Sequence, residues 1–239
     1  MKCSKLAIML LTMGAPAAFA TQPTDPIALQ KKLEERFPSV KIDRVQESSV
    51  PGLYEVITTD RIVYADASGE HLIIGQIMNT TTRQNLTEQR WNDLNRIDFN
   101  SLPFEHAIKI VKGDGSRKLV AFEDPLCPYC AELEKALETL TDYTLFVFLL
   151  PLESIHPGAT VLARSIWCAD DPAATWSAWM QRDVKPEARS CDTVPGEQLG
   201  ELAKKLKINS TPTLYFADGI KVPQALTAAE LEARWAQFK

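Results

Sequence analysis

The chain has 239 residues, of which 45% are hydrophobic and 24% charged, and its formal net charge is −5. This composition is typical of a globular protein, and the absence of a basic stripe interleaved with aromatic residues argues against a nucleic acid partner. After the N-terminal segment, no apolar run reaches the length of a membrane span, so stable membrane insertion is not expected.

The first twenty residues have the pattern of an export signal. Lys2 and Lys5 are followed by an apolar stretch over 6–13 and by the small-x-small sequence Ala18-Phe-Ala20, which predicts cleavage near Ala20. The alternative, a buried N-terminal helix, is disfavoured because the stretch has no polar face. Cleavage removes Cys3 and leaves four cysteines in an exported chain, where an even number favours disulfides.

Residues 21–81 are predicted to form a small α+β domain. Asp25-Pro26 is typical of a helix start, and Leu29, Leu33 and Phe37 follow on one helical face. Four short strands with turn residues between them are then predicted: Val40–Ile42, Leu53–Ile57, Arg61–Tyr64 and His71–Ile74. So small a unit buries little apolar surface, so we expect it to pack against a second copy. Gly75 is expected mid-strand, at a close backbone approach.

A polar segment at 79–84 marks a boundary, and residues 82–103 are predicted to form a linker helix. Asn85 can cap this helix, with Glu88 reaching back to it. Trp91, Leu94 and Ile97 form only a narrow apolar stripe among charged and amide residues. A helix this polar fits a connector, although an ordinary surface helix is the alternative.

Residues 104–239 alternate between strand and helix patterns and are predicted to form a second domain. Four strands are expected: 107–111, 118–122, 143–150 and 213–216. Helices are expected after Cys127, near 158–168, 172–181 and 196–206, and at the C-terminus over 228–238.

The motif Cys127-Pro-Tyr-Cys130 stands where an apolar strand gives way to a helix. Zinc needs three or four protein ligands, of which this pair supplies two. The three histidines, His71, His106 and His156, are isolated from one another, so no metal site is expected. A purely structural bridge within the motif would close too short a loop to remove much entropy from the unfolded chain.

The position of Cys127 at the amino end of a helix favours a redox centre instead. Unsatisfied backbone N–H groups and the helix dipole stabilise a thiolate there and lower the thiol pKa. Cys130 lies one turn further along a similar face. Cys127 is therefore predicted to attack a substrate disulfide, and Cys130 to resolve the mixed disulfide that results.

A second fragment, Ser210-Thr-Pro-Thr213, precedes the last predicted strand and by itself is typical of a turn, or of an edge strand opened by proline. Together with the strand, the Cys127-Pro-Tyr-Cys130 motif and the helix, it resembles the thioredoxin fold. The stretch ASGEHLIIGQIM at 67–78, with Ile166-Trp-Cys-Ala169 and Ser190-Cys-Asp192, is similar to the DsbC family of periplasmic disulfide isomerases. The resemblance covers nearly the whole chain.

This resemblance implies an α+β protein in which a thioredoxin-like catalytic domain with a helical insertion is joined by a linker helix to a small cystatin-like dimerisation domain. It implies a cis bond at Pro212, with the backbone near Thr211 pairing with substrate beside Cys127. It further implies a periplasmic homodimer without a cofactor, which isomerises or reduces incorrect disulfides in misoxidised exported proteins. A membrane reductase of the DsbD type would then keep the protein reduced.

The dipeptide Pro128-Tyr129 departs from the usual DsbC pattern, which begins with glycine, and is more like the related DsbG. DsbG proteins lack the second cysteine pair, Cys168 and Cys191, which this chain keeps. We expect that pair to form a structural disulfide in the helical insertion, and a second exchange site is the alternative. Two other functions stay open: a dithiol oxidase of the DsbA type and a dimeric holdase that grips unfolded chains.

Overall fold

The computed structural model of the protein describes residues 25–238, so the predicted export signal at 1–20 lies outside the described residues. The chain divides into two compact units, the first extending to Trp91 and the second beginning at Asn92. Each unit has its own sheet and its own hydrophobic core, which is the organisation expected of two domains.

The helix of the first unit, α1, runs over Pro26–Arg36 and begins where the sequence predicts. Asp25 Oδ1 caps it by accepting a backbone N–H of the first turn at 3.1 Å. Leu29 and Leu33 are buried against the sheet. Phe37 follows the helix end and is 40% exposed. The buried face of α1 therefore consists of two leucines and not of the three residues expected.

An antiparallel sheet of four strands, in the order β1-β2-β3-β4, packs on α1. The strands are β1 Ile42–Glu47, β2 Leu53–Thr58, β3 Ile62–Asp66 and β4 Leu72–Ile73. The first strand begins where the predicted strand at 40–42 ends. The position of β1 is hard to predict from the sequence because most of its residues are polar. Only Ile42 and Val45 are buried, and the opposite face is solvent-exposed.

β4 is so short that the prediction of Gly75 as a mid-strand residue is wrong. Leu72 and Ile73 pair with β3, and the chain then leaves the sheet and bends at Gly75. Apart from its neighbours in the chain, no atom of residues 25–238 would lie within 4 Å of a Cβ atom built on Gly75. Packing within this chain therefore does not require glycine at that position.

The helix α2 spans Leu86–Asn95 and begins with the cap that the sequence predicts. Asn85 Oδ1 accepts the backbone N–H of Glu88 at 3.1 Å, and Asn85 Nδ2 donates to Glu88 Oε2 at 3.1 Å. Further along the helix, Arg90 Nε donates to the buried carboxylate of Glu55 on β2 at 3.2 Å. The first half of α2 is thus anchored to the first unit.

The helix is shorter than the linker predicted at 82–103. It ends at Asn95, and 3-10 turns follow at Phe99–Ser101 and Phe104–His106. The backbone N–H of Ile97, expected on the helical stripe, donates to Gly219 O at 3.0 Å. Phe99 and Leu102 are buried in the core of the second unit, and these apolar contacts explain why the segment leaves the helix.

The second unit has a five-stranded sheet in the order β5-β7-β6-β8-β9. The strands are β5 Ile108–Lys112, β6 Arg117–Glu123, β7 Tyr143–Leu149, β8 Thr213–Phe216 and β9 Lys221–Val222. β6 and β7 are parallel and the other pairs antiparallel. Because β9 pairs with β8, the strand that follows Pro212 is not the edge strand expected. Pro212 lies just before the first paired residue, so it removes no ladder hydrogen bond.

Five helices cover the two faces of this sheet: α3 Pro128–Glu138, α4 Ala159–Trp167, α5 Pro172–Arg182, α6 Gly196–Lys205 and α7 Ala228–Trp235. The helices α3, α4, α5 and α7 share one core, and α6 packs in a second core with the 3-10 segment at 99–101. The helix α3 connects the parallel strands and therefore begins at the carboxyl end of β6.

Within the helical insertion, Cys168 and Cys191 are joined by a disulfide with a sulfur–sulfur distance of 2.06 Å. The bond follows α4 and closes a segment of 23 residues that contains all of α5. A crosslink over a segment of this length stabilises a protein by about 3 kcal/mol in the chain-entropy treatment, because it restricts the unfolded chain.

Candidate active site

The turn that carries the first cysteine is held by a buried carboxylate. β6 ends at Glu123, and Asp124 follows with a side chain that is completely buried. Its Oδ1 accepts the backbone N–H of Leu126 at 2.7 Å, and its Oδ2 accepts that of Leu152 at 2.6 Å. His156 Nδ1 lies 3.0 Å from the same Oδ2. These contacts join the turn before Cys127 to the loop after β7.

Cys127 is the N-cap residue of α3, so its sulfur lies at the end of the helix where backbone N–H groups lack partners. The groups around this sulfur that favour its ionised form are the Cys130 thiol, the Thr211 side chain and the backbone N–H groups of Tyr129 and Cys130. These donors, the thiol first, outweigh burial and lower the pKa of Cys127 to about 5.

The loop with the proline predicted to contact substrate lies against this sulfur. The Thr211–Pro212 peptide is cis, as the family resemblance implies. When protonated, Cys127 Sγ donates to the backbone oxygen of Thr211 at 3.3 Å. The structure therefore brings Cys127, Cys130, Thr211 and Pro212 together at one place, whereas Cys168 and Cys191 are bonded to each other in the insertion.

Cys130, three residues further, has the opposite environment. It is completely buried, and burial raises the pKa of its thiol far above the ordinary value, with the neighbouring Cys127 and Glu123 adding to the shift. At neutral pH the pair therefore consists of one thiolate and one thiol. Because a thiolate is the nucleophilic form of cysteine, Cys127 is the more reactive of the two in this environment, whereas Cys130 must lose a proton before it can react.

Two carboxyl groups lie buried behind Cys130. Glu123, at the end of β6, interacts with both Cys130 and Glu134 of α3, and neither of its oxygens has a conventional hydrogen-bond partner within residues 25–238. Glu134 Oε1 accepts the indole N–H of Trp176 at 2.7 Å, and its Oε2 accepts the amide of Gln181 at 3.3 Å. Burial raises the pKa of both carboxyl groups, and their proximity to each other raises that of Glu123 further.

Comparison with known proteins agrees with this arrangement. The family "Disulfide bond isomerase protein N-terminal domain" matches residues 17–88, and "Thioredoxin-like domain" matches residues 104–239. A probable thiol:disulfide interchange protein DsbC from Bordetella parapertussis is 37% identical over 217 residues, which cover 90% of this chain and 76% of that protein. The chain belongs to the DsbC family. Its function is thiol–disulfide exchange, as the sequence predicts.

Two more distant comparisons extend the DsbC assignment. The DsbC protein of Salmonella typhimurium is 26% identical over 237 residues, covering 96% of this chain and 94% of that protein. A disulfide interchange protein from Neisseria gonorrhoeae, solved by crystallography, is 34% identical with a TM-score of 0.55, and the match covers 57% of this chain and 97% of that one. The predicted thioredoxin-like fold with a DsbC N-terminal domain is confirmed.

The buried carboxyl groups of Glu123 and Glu134 in this member of the DsbC family are not predicted from the sequence. Glu134 lies four residues after Cys130 and therefore on the same helical face, a spacing that could have placed it beside the thiol. Glu123 is the last residue of an apolar strand, and in the sequence it looks like an ordinary polar residue at a strand end. The contact of Trp176 with Glu134 joins residues 42 positions apart and leaves no local signal.

Other functional groups are not apparent in the described part of the chain. Within residues 25–238, no three His, Cys, Asp or Glu side chains are grouped so that they could hold a metal ion. His71 and His156 each contact one aspartate instead. Over the same residues, the helices are too short or too polar to cross a membrane.

The ionisation of Cys127 predicts the pH dependence of its reactivity. Alkylation of the reduced protein by iodoacetamide, or thiolate absorbance at 240 nm, should titrate with a midpoint near pH 5. Because the folded pKa is depressed, ionisation stabilises the reduced protein fully only above about pH 8.5, the ordinary thiol value, and this stabilisation is lost as the pH falls through 5. Cys130→Ala should raise the midpoint. A midpoint near 8.5 in the unmodified protein would contradict this environment.

Proposed function

We propose that this protein isomerises and reduces incorrect disulfides in misoxidised exported proteins, with Cys127 as nucleophile and Cys130 as resolving cysteine. The observation that carries the proposal is the contrast within one turn of α3 between an ionised Cys127 and a buried, protonated Cys130. Exchange needs a thiolate to start it and a second thiol that waits until the first has reacted.

The reaction begins when the thiolate of Cys127 attacks one sulfur of a substrate disulfide. A bond forms between Cys127 Sγ and that sulfur, the substrate disulfide breaks, and the other substrate sulfur leaves as a thiolate. In isomerisation, a substrate thiolate then attacks elsewhere and finally displaces Cys127, so no net electrons are transferred. The backbone of Thr211, whose oxygen lies 3.3 Å from Cys127 Sγ, is placed to pair with the substrate chain beside the reacting sulfur.

A stalled mixed disulfide is resolved by Cys130. When one member of the neighbouring pair of Glu123 and Glu134 is ionised, the Cys130 thiol transfers its proton to that carboxylate, and the resulting thiolate attacks Cys127 Sγ. The Cys127–Cys130 disulfide forms, the substrate sulfur leaves reduced, and two electrons have passed to the substrate. The carboxyl pair suits this role because it is buried beside the thiol.

The oxidised pair then needs an external dithiol, and we propose a membrane reductase of the DsbD type in the periplasm. Stabilisation of the Cys127 thiolate favours the reduced state, from which isomerisation starts. It also makes the disulfide a ready oxidant, which is the chemistry of the alternative, a DsbA-type oxidase. The redox partner that regenerates the Cys127–Cys130 pair, as dithiol or as disulfide, therefore decides the direction of exchange.

The proposed organisation of the chain follows the same assignment. Residues 1–20 would be a signal cleaved near Ala20, 21–81 the dimerisation domain, 82–103 the connector and 104–239 the catalytic domain. A second copy would cover the apolar surface on the first unit, where Ile73 is 50% and Ile74 76% exposed beside a strand edge with no neighbouring strand within residues 25–238.

The redox state of the two cysteine pairs in an exporting cell tests the direction. Thiol trapping should find Cys127 and Cys130 mainly as free thiols and Cys168 and Cys191 bridged, because the reductase would act on the pair that takes part in exchange. In vitro, Cys127→Ser should abolish isomerisation of a scrambled disulfide-containing protein, whereas Cys130→Ser should accumulate mixed disulfides. An oxidised active pair in cells with the reductase would favour the oxidase. Full protection of unfolded chains, with no exchange activity in the unaltered protein, would favour the holdase.

Removal of either buried carboxyl group should slow resolution without abolishing the first attack. Glu123→Gln and Glu134→Gln should each reduce the rate at which Cys130 releases a trapped substrate by about a hundredfold, the lower end of the range for loss of a positioned proton acceptor. Glu123→Gln should also raise the melting temperature at pH 8, because the wild-type carboxyl has a raised pKa whose stabilising contribution is lost as the pH rises.

Stopped-flow measurement of resolution and thermal unfolding at pH 5 and pH 8 provide the two readouts. Glu138→Gln, an exposed change at the end of the same helix, is the matched control and should alter neither. Equal resolution rates in all three variants would show that the proton leaves Cys130 by another route.

Substitution of Gly75 should test the proposed dimer. Because no atom of residues 25–238 other than its chain neighbours lies within 4 Å of a Cβ at Gly75, Gly75→Leu should leave the monomer fold intact and act only on a partner copy. The mature protein should sediment as a dimer at micromolar concentration and the variant as a monomer. Gly200→Leu, at another glycine with open space, is the control. A wild-type monomer under these conditions would contradict the proposal.

A further inference from the structure

A pocket of about 390 Å³ opens beside Cys127, in the angle between the start of α3 and the end of α5. Its size is sufficient for one large side chain, since small-molecule pockets begin at about 300 Å³. Most of its wall is apolar, formed by Pro125, Leu126, Pro128, Ala131, Trp179 and Met180. Cys127 belongs to the same wall, so a group bound in the pocket would lie next to the substrate disulfide that Cys127 attacks.

The aromatic wall of the pocket is held in place. The indole N–H of Trp179 donates to the backbone oxygen of Pro125 at 2.6 Å. This bond satisfies the only polar group of the side chain and leaves the ring as apolar surface. Met180, next to it, is buried and fixed in the core of the unit. The pocket is thus preformed and does not require a rearrangement to accept a ligand.

The pocket is distinct from the loop that would pair with the substrate backbone. Neither Thr211 nor Pro212 lines it, although Cys127 contacts both regions. A substrate chain bonded to Cys127 and paired at Thr211 would therefore still have a side chain free to enter the pocket. The charged residues that line the pocket are Glu132, Lys135 and Asp183, whose net negative charge disfavours an acidic side chain.

We propose that this pocket binds a large apolar or aromatic side chain adjacent to the substrate cysteine under attack, and that Trp179 makes exchange selective for cysteines with such neighbours. The inference rests on the proposed function, because the bound side chain is identified by its position next to the substrate cysteine that Cys127 attacks. Such cysteines are normally buried in folded proteins, because large apolar residues are mostly interior. Selectivity of this kind directs exchange toward exported chains whose core is still exposed.

A peptide series tests the selectivity directly. Each peptide carries one cysteine in a mixed disulfide with glutathione and has Phe, Leu, Ser or Asp at the neighbouring position on either side. The second-order rate of glutathione release by the reduced, full mature protein is measured for each. The Phe and Leu peptides should react about tenfold faster than the Ser peptide, a typical value for filling an apolar pocket, and the Asp peptide should react slowest.

Two substitutions of Trp179 distinguish the effect of its ring from the effect of its hydrogen bond to Pro125. Trp179→Ala should reduce the Phe-to-Ser rate ratio to less than about twofold. Trp179→Phe keeps an aromatic wall but loses the bond to Pro125, and should retain most of the ratio. Val161→Ala, an exposed change on α4 outside the pocket, should leave the ratio as in the wild type. If Trp179→Ala fails to fold by circular dichroism, Ala131→Leu fills the pocket from α3 and should lower the ratio likewise.

The outcomes distinguish this inference from the proposed function. If the wild-type protein releases glutathione from all peptides at the same rate, the pocket does not select substrate and the inference is overturned, while exchange by Cys127 stands. If Trp179→Ala slows every peptide equally and keeps the ratio, Trp179 only supports the turn at Pro125, and the inference is again overturned. If no peptide reacts with the wild type, the proposed function itself fails.

Discussion

The active site depends on the buried carboxylate of Asp124 and the three groups that contact it. Backbone N–H groups of Leu126 and Leu152 and the ring of His156 surround its oxygens at 2.6 to 3.0 Å. A buried carboxyl group without such partners would be costly, so these contacts stabilise the turn and the loop after β7 together. The turn leads directly into α3, so the same contacts support the position of Cys127 at its start.

Because Cys127 caps α3 and Cys130 lies one turn further, the pKa values of the two thiols are shifted in opposite directions. Cys127, at the cap, faces donors that stabilise negative charge, whereas Cys130 faces apolar surroundings and Glu123. The two effects support each other, because the protonated Cys130 is itself the main donor to the Cys127 thiolate. In the proposed reaction, Cys127 bonded to substrate no longer needs that donor, so Cys130 would then be free to react. The proposed order of the two steps is consistent with this geometry.

Much of this could be predicted from local sequence, and the remainder could not for identifiable reasons. Helix starts at Asp25 and Asn85 were predictable because capping depends on residues within one turn. The length of α2 was not, because Phe99 and Leu102 leave the helical course for a core built by distant strands. The short β4 was not predictable either, because the apolar run at 71–74 does not indicate how many of its residues pair with β3.

The cysteine motif was apparent in the sequence, but the groups that give it a chemical environment were not. Glu134 is placed by Trp176, and the turn at Pro125 by Trp179, and both tryptophans belong to α5 of the helical insertion. The same helix lies within the segment closed by the disulfide of Cys168 with Cys191. An insertion that looks like a structural appendage thus forms one wall of the site and supports its buried carboxyl pair. The Cys168–Cys191 disulfide thereby restrains the helix that supports the surroundings of Cys127 and Cys130.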